Sequence, residues 1–298
     1  MRLASAPSSD QQVLAEIRQA LEKTSVSFKR RVVERLALAA LGSIPWVGGF
    51  VSAAAGLKIE QRGIQRDSLQ TRWLAEHARK LEELTAALRD LAIRLDGLGA
   101  TVEERIAEDS YLSLVRSAFR VWDRAETDEK RELVMTLLTR AASTRQVSDD
   151  VVRLFIDWLD QYHETHLAVI REVFKQSGAA TRGRIWMTLY GEPVREDSAE
   201  ADLYRLLLRD LSAGGVIRQA RPTTTEGRFV RRRNAGAANR TKHHEHEGDD
   251  SELPTLESAF EDTKPYVLTE LGRRFVDYAL GADDTALAAA APRSVGQA

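Results

Sequence analysis

The sequence predicts a mainly α fold: a multi-helix bundle built on an apolar, glycine-rich helical hairpin and a long heptad helix, followed by a C-terminal domain with a small two-stranded sheet. Three observations predict it. Leu36–Leu57 runs for 22 residues without a charged side chain. Leu74, Leu81, Leu88 and Leu95 then recur every seven residues, with Leu84, Leu91 and Leu98 as a second row, the a and d positions of about three heptads. Downstream, apolar stripes at helical spacing follow one another as far as Gly214-Gly215, and only two short segments, Val216-Ile217 and Tyr266–Thr269, read as strands.

The elements follow in order. Residues 1–9 are small and polar and read as disordered, and 10–165 form the helical domain. Val13, Ile17 and Leu21 give one apolar stripe on a short helix over 11–24. A second helix starts near Ser27 and carries Phe28, Val32, Val33 and Leu36 into the apolar run. Gly42, Ser43 and Pro45 interrupt that run. Proline suits a first helical turn and breaks an interior one, so residues 36–57 read as two helices meeting near Gly42–Pro45. Gly48, Ser52 and Gly56 recur every four residues, a small-residue stripe that admits a close helix partner, with Trp46 and Phe50 as its large anchors. That partner belongs either to the chain's own core or to a membrane assembly. Eight strongly apolar residues favour bilayer insertion by about 2–5 kcal/mol in sum. Four glycines, two serines and a proline oppose it, so spanning by a single copy is marginal. Both flanks are basic (Lys29, Arg30, Arg31 and Arg35; Lys58, Arg62 and Arg66), which suits an anionic leaflet.

The heptad helix, 67–98, ends at Gly97 and Gly99 and reads as one member of a bundle in preference to a coiled-coil dimer. Helices over 102–165 follow. The first runs from Val102 to Ala125 through Ile106, Leu112, Val115, Phe119 and Trp122. The second is capped by Thr127 and opens on Asp128 and Glu129, where negative charge suits the helix dipole. The third repeats the device with Ser148, Asp149 and Asp150, and carries Val152, Phe155, Ile156, Leu159 and Tyr162.

Residues 166–281 form the second domain. Leu167–Lys175 reads as helical and Arg184–Tyr190 as a short apolar segment. Asp197 caps a helix with Glu200 at its third position, carrying Leu203, Leu206, Leu207 and Leu211. Two strands flank a charged insertion over 219–262, read as disordered. A last helix, Glu270–Leu280, carries Leu271, Phe275, Val276 and Tyr278, and 282–298 form a tail. The segments LYRLLLRDLSAGGVIRQ and YVLTELGRRFVDYAL, in this order, resemble a winged-helix domain over Leu167–Leu280. That resemblance implies a helix before the wing that enters the major groove of DNA. Glu196, Asp197, Glu200 and Asp202 crowd the N-terminal end of the matching helix, which repels phosphate. Residues 216–242 carry a net charge of +7, with Arg228, Arg231, Arg232 and Arg233 as the candidate nucleic-acid contacts, and residues 243–262 carry −8. The two blocks neutralise each other, and the expectation is weak, salt-sensitive nucleic-acid binding at most.

Composition bounds the chemistry. The chain carries a net charge of −2, which exerts no global pull on nucleic acid or anionic lipid. It has no cysteine, which excludes disulfides, thiolate metal sites and cysteine catalysis. Its first residues lack an apolar signal segment, and the expected location is cytoplasmic, with membrane association through the apolar run. Asp160, His163 and His166 are the weak metal candidates. Their HETH sequence is not the zincin spacing HExxH, and no metal or cofactor is assigned. No phosphate loop, dinucleotide fingerprint or nucleophile elbow is present, so no residue is given a catalytic role. An apolar glycine- and proline-bearing hairpin ahead of a helical bundle resembles the membrane-active region of some bacterial toxin or antiphage effectors. The leading expectation is a non-enzymatic helical interaction protein whose hairpin is buried at rest and released to a membrane or partner. The alternatives are a winged-helix nucleic-acid-binding regulator with a helical dimerisation region, and a protein–protein scaffold. Its partners would be another protein, or a second copy bound through the helices, and an anionic membrane.

Overall fold

The computed structural model describes residues 30–50, 68–98, 101–176, 178, 180–192, 195–220, 258–261 and 263–281. The helix expected over 11–24, Ser52 and Gly56, the four candidate arginines Arg228, Arg231, Arg232 and Arg233, and the tail lie outside them. The described chain is mainly helical, with one two-stranded antiparallel sheet. It divides into two units, Met1–Tyr162 with Asp277–Ala298, and His163–Val276.

In the first unit α1 (Arg30–Leu41) is followed by a helical stretch at 45–50, α2 (Ser68–Asp96), α3 (Thr101–Ala107), α4 (Asp109–Arg124), α5 (Asp128–Ser143) and α6 (Asp149–Gln161). The centre is α4, against which α1, α3, α5 and α6 all pack. Eight of its 16 residues are buried, from Tyr111 and Leu112 to Val121 and Trp122. Its single stripe from sequence, through Leu112, Val115 and Phe119, widens to two adjoining faces that add Tyr111, Leu114, Ala118 and Val121. The heptad face of α2 is buried within the bundle at Leu84, Leu88, Leu91 and Leu95. Leu98, expected in the same row, is 38% exposed, because the helix stops at Asp96 and the Gly97 turn carries Leu98 off its face.

The helix expected from Val102 to Ala125 is broken at Glu108, which is extended (φ −70°, ψ 137°). Charge accounts for the break. The Arg105 guanidinium, on a residue only 7% exposed, donates to Glu108 at 2.6 Å and to the Ser110 hydroxyl at 3.0 Å, and pairs with Asp149. Glu108 pairs in turn with Arg145. A buried cation needs such partners, and the turn at 108 brings the carboxylate round to supply one. Thr127 caps α5 as expected, accepting from the Lys130 N–H at 3.3 Å. Ser148 holds the N-cap position of α6 but makes no side-chain cap, and Asp149 beside it serves Arg105.

The second unit orders α7 (Glu164–Lys175), α8 (Arg182–Tyr190), α9 (Ala199–Ala213), β1 (Ile217–Gln219), β2 (Tyr266–Leu268) and α10 (Glu270–Phe275). The strands pair antiparallel, Ile217 with Leu268 and Gln219 with Tyr266, and Ala180 bridges to the other edge of β2 at Tyr266. The N-cap of α9 is Ser198, which accepts from the Ala201 N–H at 3.2 Å. Asp197, expected there, is instead forked by Arg195 at 2.7 and 2.9 Å. The buried stripe of α9 is also turned from the expected one. Ala201, Tyr204, Leu207, Leu208 and Leu211 face inward, while Leu203 and Leu206 are 50% and 40% exposed. Tyr204 sets this rotation: its hydroxyl donates to the Arg182 carbonyl at 2.7 Å and its ring meets Trp186 and Phe260.

The start of α10 closes on the turn that ends α9. The Thr269 hydroxyl donates to the Gly215 carbonyl at 2.6 Å and its N–H to the Val216 carbonyl at 2.9 Å. A Cβ at Gly272 would lie 2.1 Å from the Val216 oxygen, so only glycine permits this approach. The last helix, expected as one piece over 270–280, becomes π-helical from Val276 to Leu280. From Asp277 onward it belongs to the first unit, where Tyr278 stands 5.9 Å from Phe155. Gly272→Ala should lower the second unit's stability by about 3 kcal/mol or more, because the clash is with backbone and cannot be relieved by a rotamer change. Urea denaturation followed by tryptophan fluorescence reads the shift.

Candidate functional site

The apolar segment bends at the expected place. The chain turns at Gly42 and Ser43, and a new helical stretch begins at Pro45, whose missing N–H is tolerated in a first turn. The segment has two faces. Leu36, Ala37, Ala40, Leu41, Ile44, Val47 and Phe50 are buried. Leu38, Gly42, Pro45, Gly48 and Gly49 are exposed. A Cβ built at Gly48 or Gly49 would meet no described atom within 4 Å.

Aromatic groups fasten the second half of the segment to α2 and α4. The Trp46 indole N–H donates to Asp123 of α4 at 2.9 Å. Its ring meets His77 of α2 edge-on at 5.1 Å, and Phe50 lies 6.3 Å from Trp73 and 6.4 Å from His77. His77 is held by its own helix, its Nδ1 donating to the Trp73 carbonyl at 2.7 Å. Of the packing residues named from sequence, the structure brings Trp46 and Phe50 together at this joint and leaves Gly48 on the opposite face.

The metal candidates do not converge. Asp160 is paired with Arg124 at 2.8 Å. The His163 N–H donates to His166 Nδ1 at 3.2 Å, so both histidines are used in starting α7. Among the described residues no group of three metal-ligating side chains is assembled.

A different constellation appears on the second unit. Arg205 and Arg209 stand four apart on α9, Arg218 lies on β1, and Arg182 opens α8. Together with Leu208, Ser212, Ile217, Gln219 and Tyr266 they line a cleft of about 540 Å³. Arg182 is set in place by the Tyr266 hydroxyl, at 3.0 and 3.1 Å, and by the Ser258 carbonyl at 2.7 Å. The acidic end of α9 stands beside the same arginines. Glu196 accepts from the Ser258 hydroxyl, the Ala259 N–H at 3.0 Å and Arg205 at 2.8 Å, and Asp202 accepts from Arg205 at 2.9 Å. Counting charges along α9 hides this cleft, because it weighs Glu196, Asp197 and Asp202 against nucleic acid without their local partners. The i, i+4 pair Arg205 and Arg209, followed by Arg218 just past the glycine turn, was the available signal.

The Ser258 hydroxyl, then the Ala259 N–H and Arg205, hold the Glu196 carboxyl below the usual glutamate range. A carboxylate lowered in the folded state stabilises fully above its unfolded pKa, about 4.3, and loses that contribution as pH falls through the folded value. Glu196→Gln should therefore blunt the acid-induced loosening of the 258–261 segment, read by the NMR signal of the Trp186 indole, which lies 5.3 Å from Phe260.

No protein-family model, curated protein or solved structure matches the chain.

Proposed function

We propose that the chain is a non-enzymatic helical interaction protein that keeps residues 36–50 of its apolar run packed in its first unit at rest and engages a partner helix or an anionic membrane through that run. The observation that carries this reading is the division of residues 36–50 into a buried face and an exposed, side-chain-poor face. Each fully buried aliphatic or aromatic side chain contributes roughly 1.5–3 kcal/mol, so the inner face is firmly held. The glycine and proline face lets a second helix approach closely without displacing anything described. Among the described residues no helix is long and apolar enough to cross a membrane.

A second reading, a winged-helix unit that binds nucleic acid, is favoured by one specific observation. The order α7, Ala180 bridge, α8, α9, β1, β2, α10 sets β2 between Ala180 and β1, which fits a helical triad closed by a small sheet. The exposed Leu203 and Leu206 on the outer face of α9 weigh against deep insertion of that helix in a DNA groove.

Leakage of anionic liposomes, measured for the wild type and for Gly48→Leu, tests the first reading. Gly48→Leu should fold with an unchanged melting midpoint and alter leakage. Absence of leakage by the wild type across pH and salt would remove the membrane and leave a protein partner to be sought. Phe50→Ala should cost about 3–5 kcal/mol in thermal or urea unfolding and make any leakage easier to trigger.

A further inference from the structure

We propose that the outer face of α9 pairs two copies of this chain, antiparallel about a two-fold axis. The inference rests on α9 alone and not on the apolar run of the first unit.

The face is one line of residues along the helix. Ala199, Leu203, Leu206, Asp210 and Ala213 stand alternately four and three residues apart, the spacing that keeps side chains on one seam between two helices. The line runs opposite the stripe, from Ala201 to Leu211, that α9 buries in its own unit. Leu203 and Leu206 are its apolar centre, and both are exposed. Ala199 and Ala213 are exposed towards its two ends and small enough to let another helix come close. Asp202 and Arg209 lie along one side of the line, seven residues apart. Their side chains are 77% and 75% exposed. Asp202 accepts from Arg205 of its own helix at 2.9 Å, and the carboxylate paired with Arg209 among the described ion pairs is its neighbour Asp210, at 3.8 Å.

The pattern of charge selects the partner. With Leu203 of one copy against Leu206 of the other, an antiparallel pair sets Asp202 beside Arg209 twice, once on each side of the axis. Asp210 then faces Ala199 of the second copy. A parallel pair would instead bring the two Asp210 carboxylates together, which is repulsive. A partner of one uniform charge would meet either Asp202 or Arg209 with the wrong sign, whereas a second copy meets each with the opposite sign. One face of a 15-residue helix is about 22 Å long, so the contact is smaller than the roughly 800 Å² per partner of a stable dimer. The association is therefore weak and concentration-dependent.

Sedimentation equilibrium of the full chain at rising concentration tests the assignment. The wild type should shift from monomer toward dimer, and less so at high salt. Leu203→Ser combined with Leu206→Ser should lower the association constant at least about tenfold, since the seam loses its apolar centre in both copies. The melting midpoint of this double variant should stay unchanged, because neither leucine belongs to the core. Asp202→Lys alone and Arg209→Asp alone should each weaken pairing at least about twofold, the scale of exposed ion pairs. Mixed in equal amounts, these two variants should associate as tightly as the wild type, because each then meets opposite charges on the other. Gly48→Leu, in the first unit, should associate as the wild type does. A monomer mass at every concentration up to the millimolar range, undiminished association of the leucine double variant, or no recovery on mixing overturns the proposal.

Discussion

The burial of α4 is the constraint on which the first unit depends. Tyr111, Leu112, Leu114, Val115, Ala118, Phe119, Val121 and Trp122 spread round most of its circumference, so a single neighbour cannot cover it. Four helices are recruited to do so, and α1 with the apolar segment is one of them. The uncharged run is thus a cover for a central helix that is apolar on more than one side. Between residues 36 and 50 its inner residues are aliphatic or aromatic, alanines among them, and its outer ones are Leu38, glycines and a proline. The same helix sets the polar joints. Asp123 takes the Trp46 indole N–H, and the turn before α4 places Glu108 against the buried Arg105. The Tyr111 phenol, pushed up by burial, stays a neutral donor to the Leu138 carbonyl at 3.0 Å.

The second unit is organised by a smaller device. The carbonyls of Gly215 and Val216, released at the end of α9, are taken by the Thr269 hydroxyl and N–H, and Gly272 lets α10 sit on that turn. This joint fixes β1 against β2, and hence the distance of Arg218 from Arg209. Tyr266 then links three parts: it pairs with Gln219, bridges to Ala180 and orients Arg182 through its hydroxyl. The cleft follows from backbone pairing that brings together arginines separated by tens of residues.

Much of the architecture was legible from local pattern. The break at Gly42–Pro45, the extent of α2, the Thr127 cap and the stop at Gly214-Gly215 each depend on residues close in sequence or on simple periodicity. The misreadings share a cause. Glu108 breaks a helix of good propensity because Arg105 is buried and needs it. Leu203 and Leu206 point outward because Tyr204 must reach the Arg182 carbonyl. Ser198 caps α9 because Asp197 is taken by Arg195. In each case a contact invisible to periodicity overrode it.

By itself the sequence determined that the chain is mainly helical and where most helices begin and end. Those properties follow from backbone preferences and from the spacing of apolar side chains, which act within a few residues. Only the tertiary structure decided that α4 is the partner of the segment's inner face, that the glycine face at 48 and 49 is exposed, that the histidines at 163 and 166 serve α7, and that four arginines share one cleft. Those outcomes depend on which carboxylate neutralises which cation and which helix covers which face. Both are settled by distances in the folded chain that no local pattern encodes.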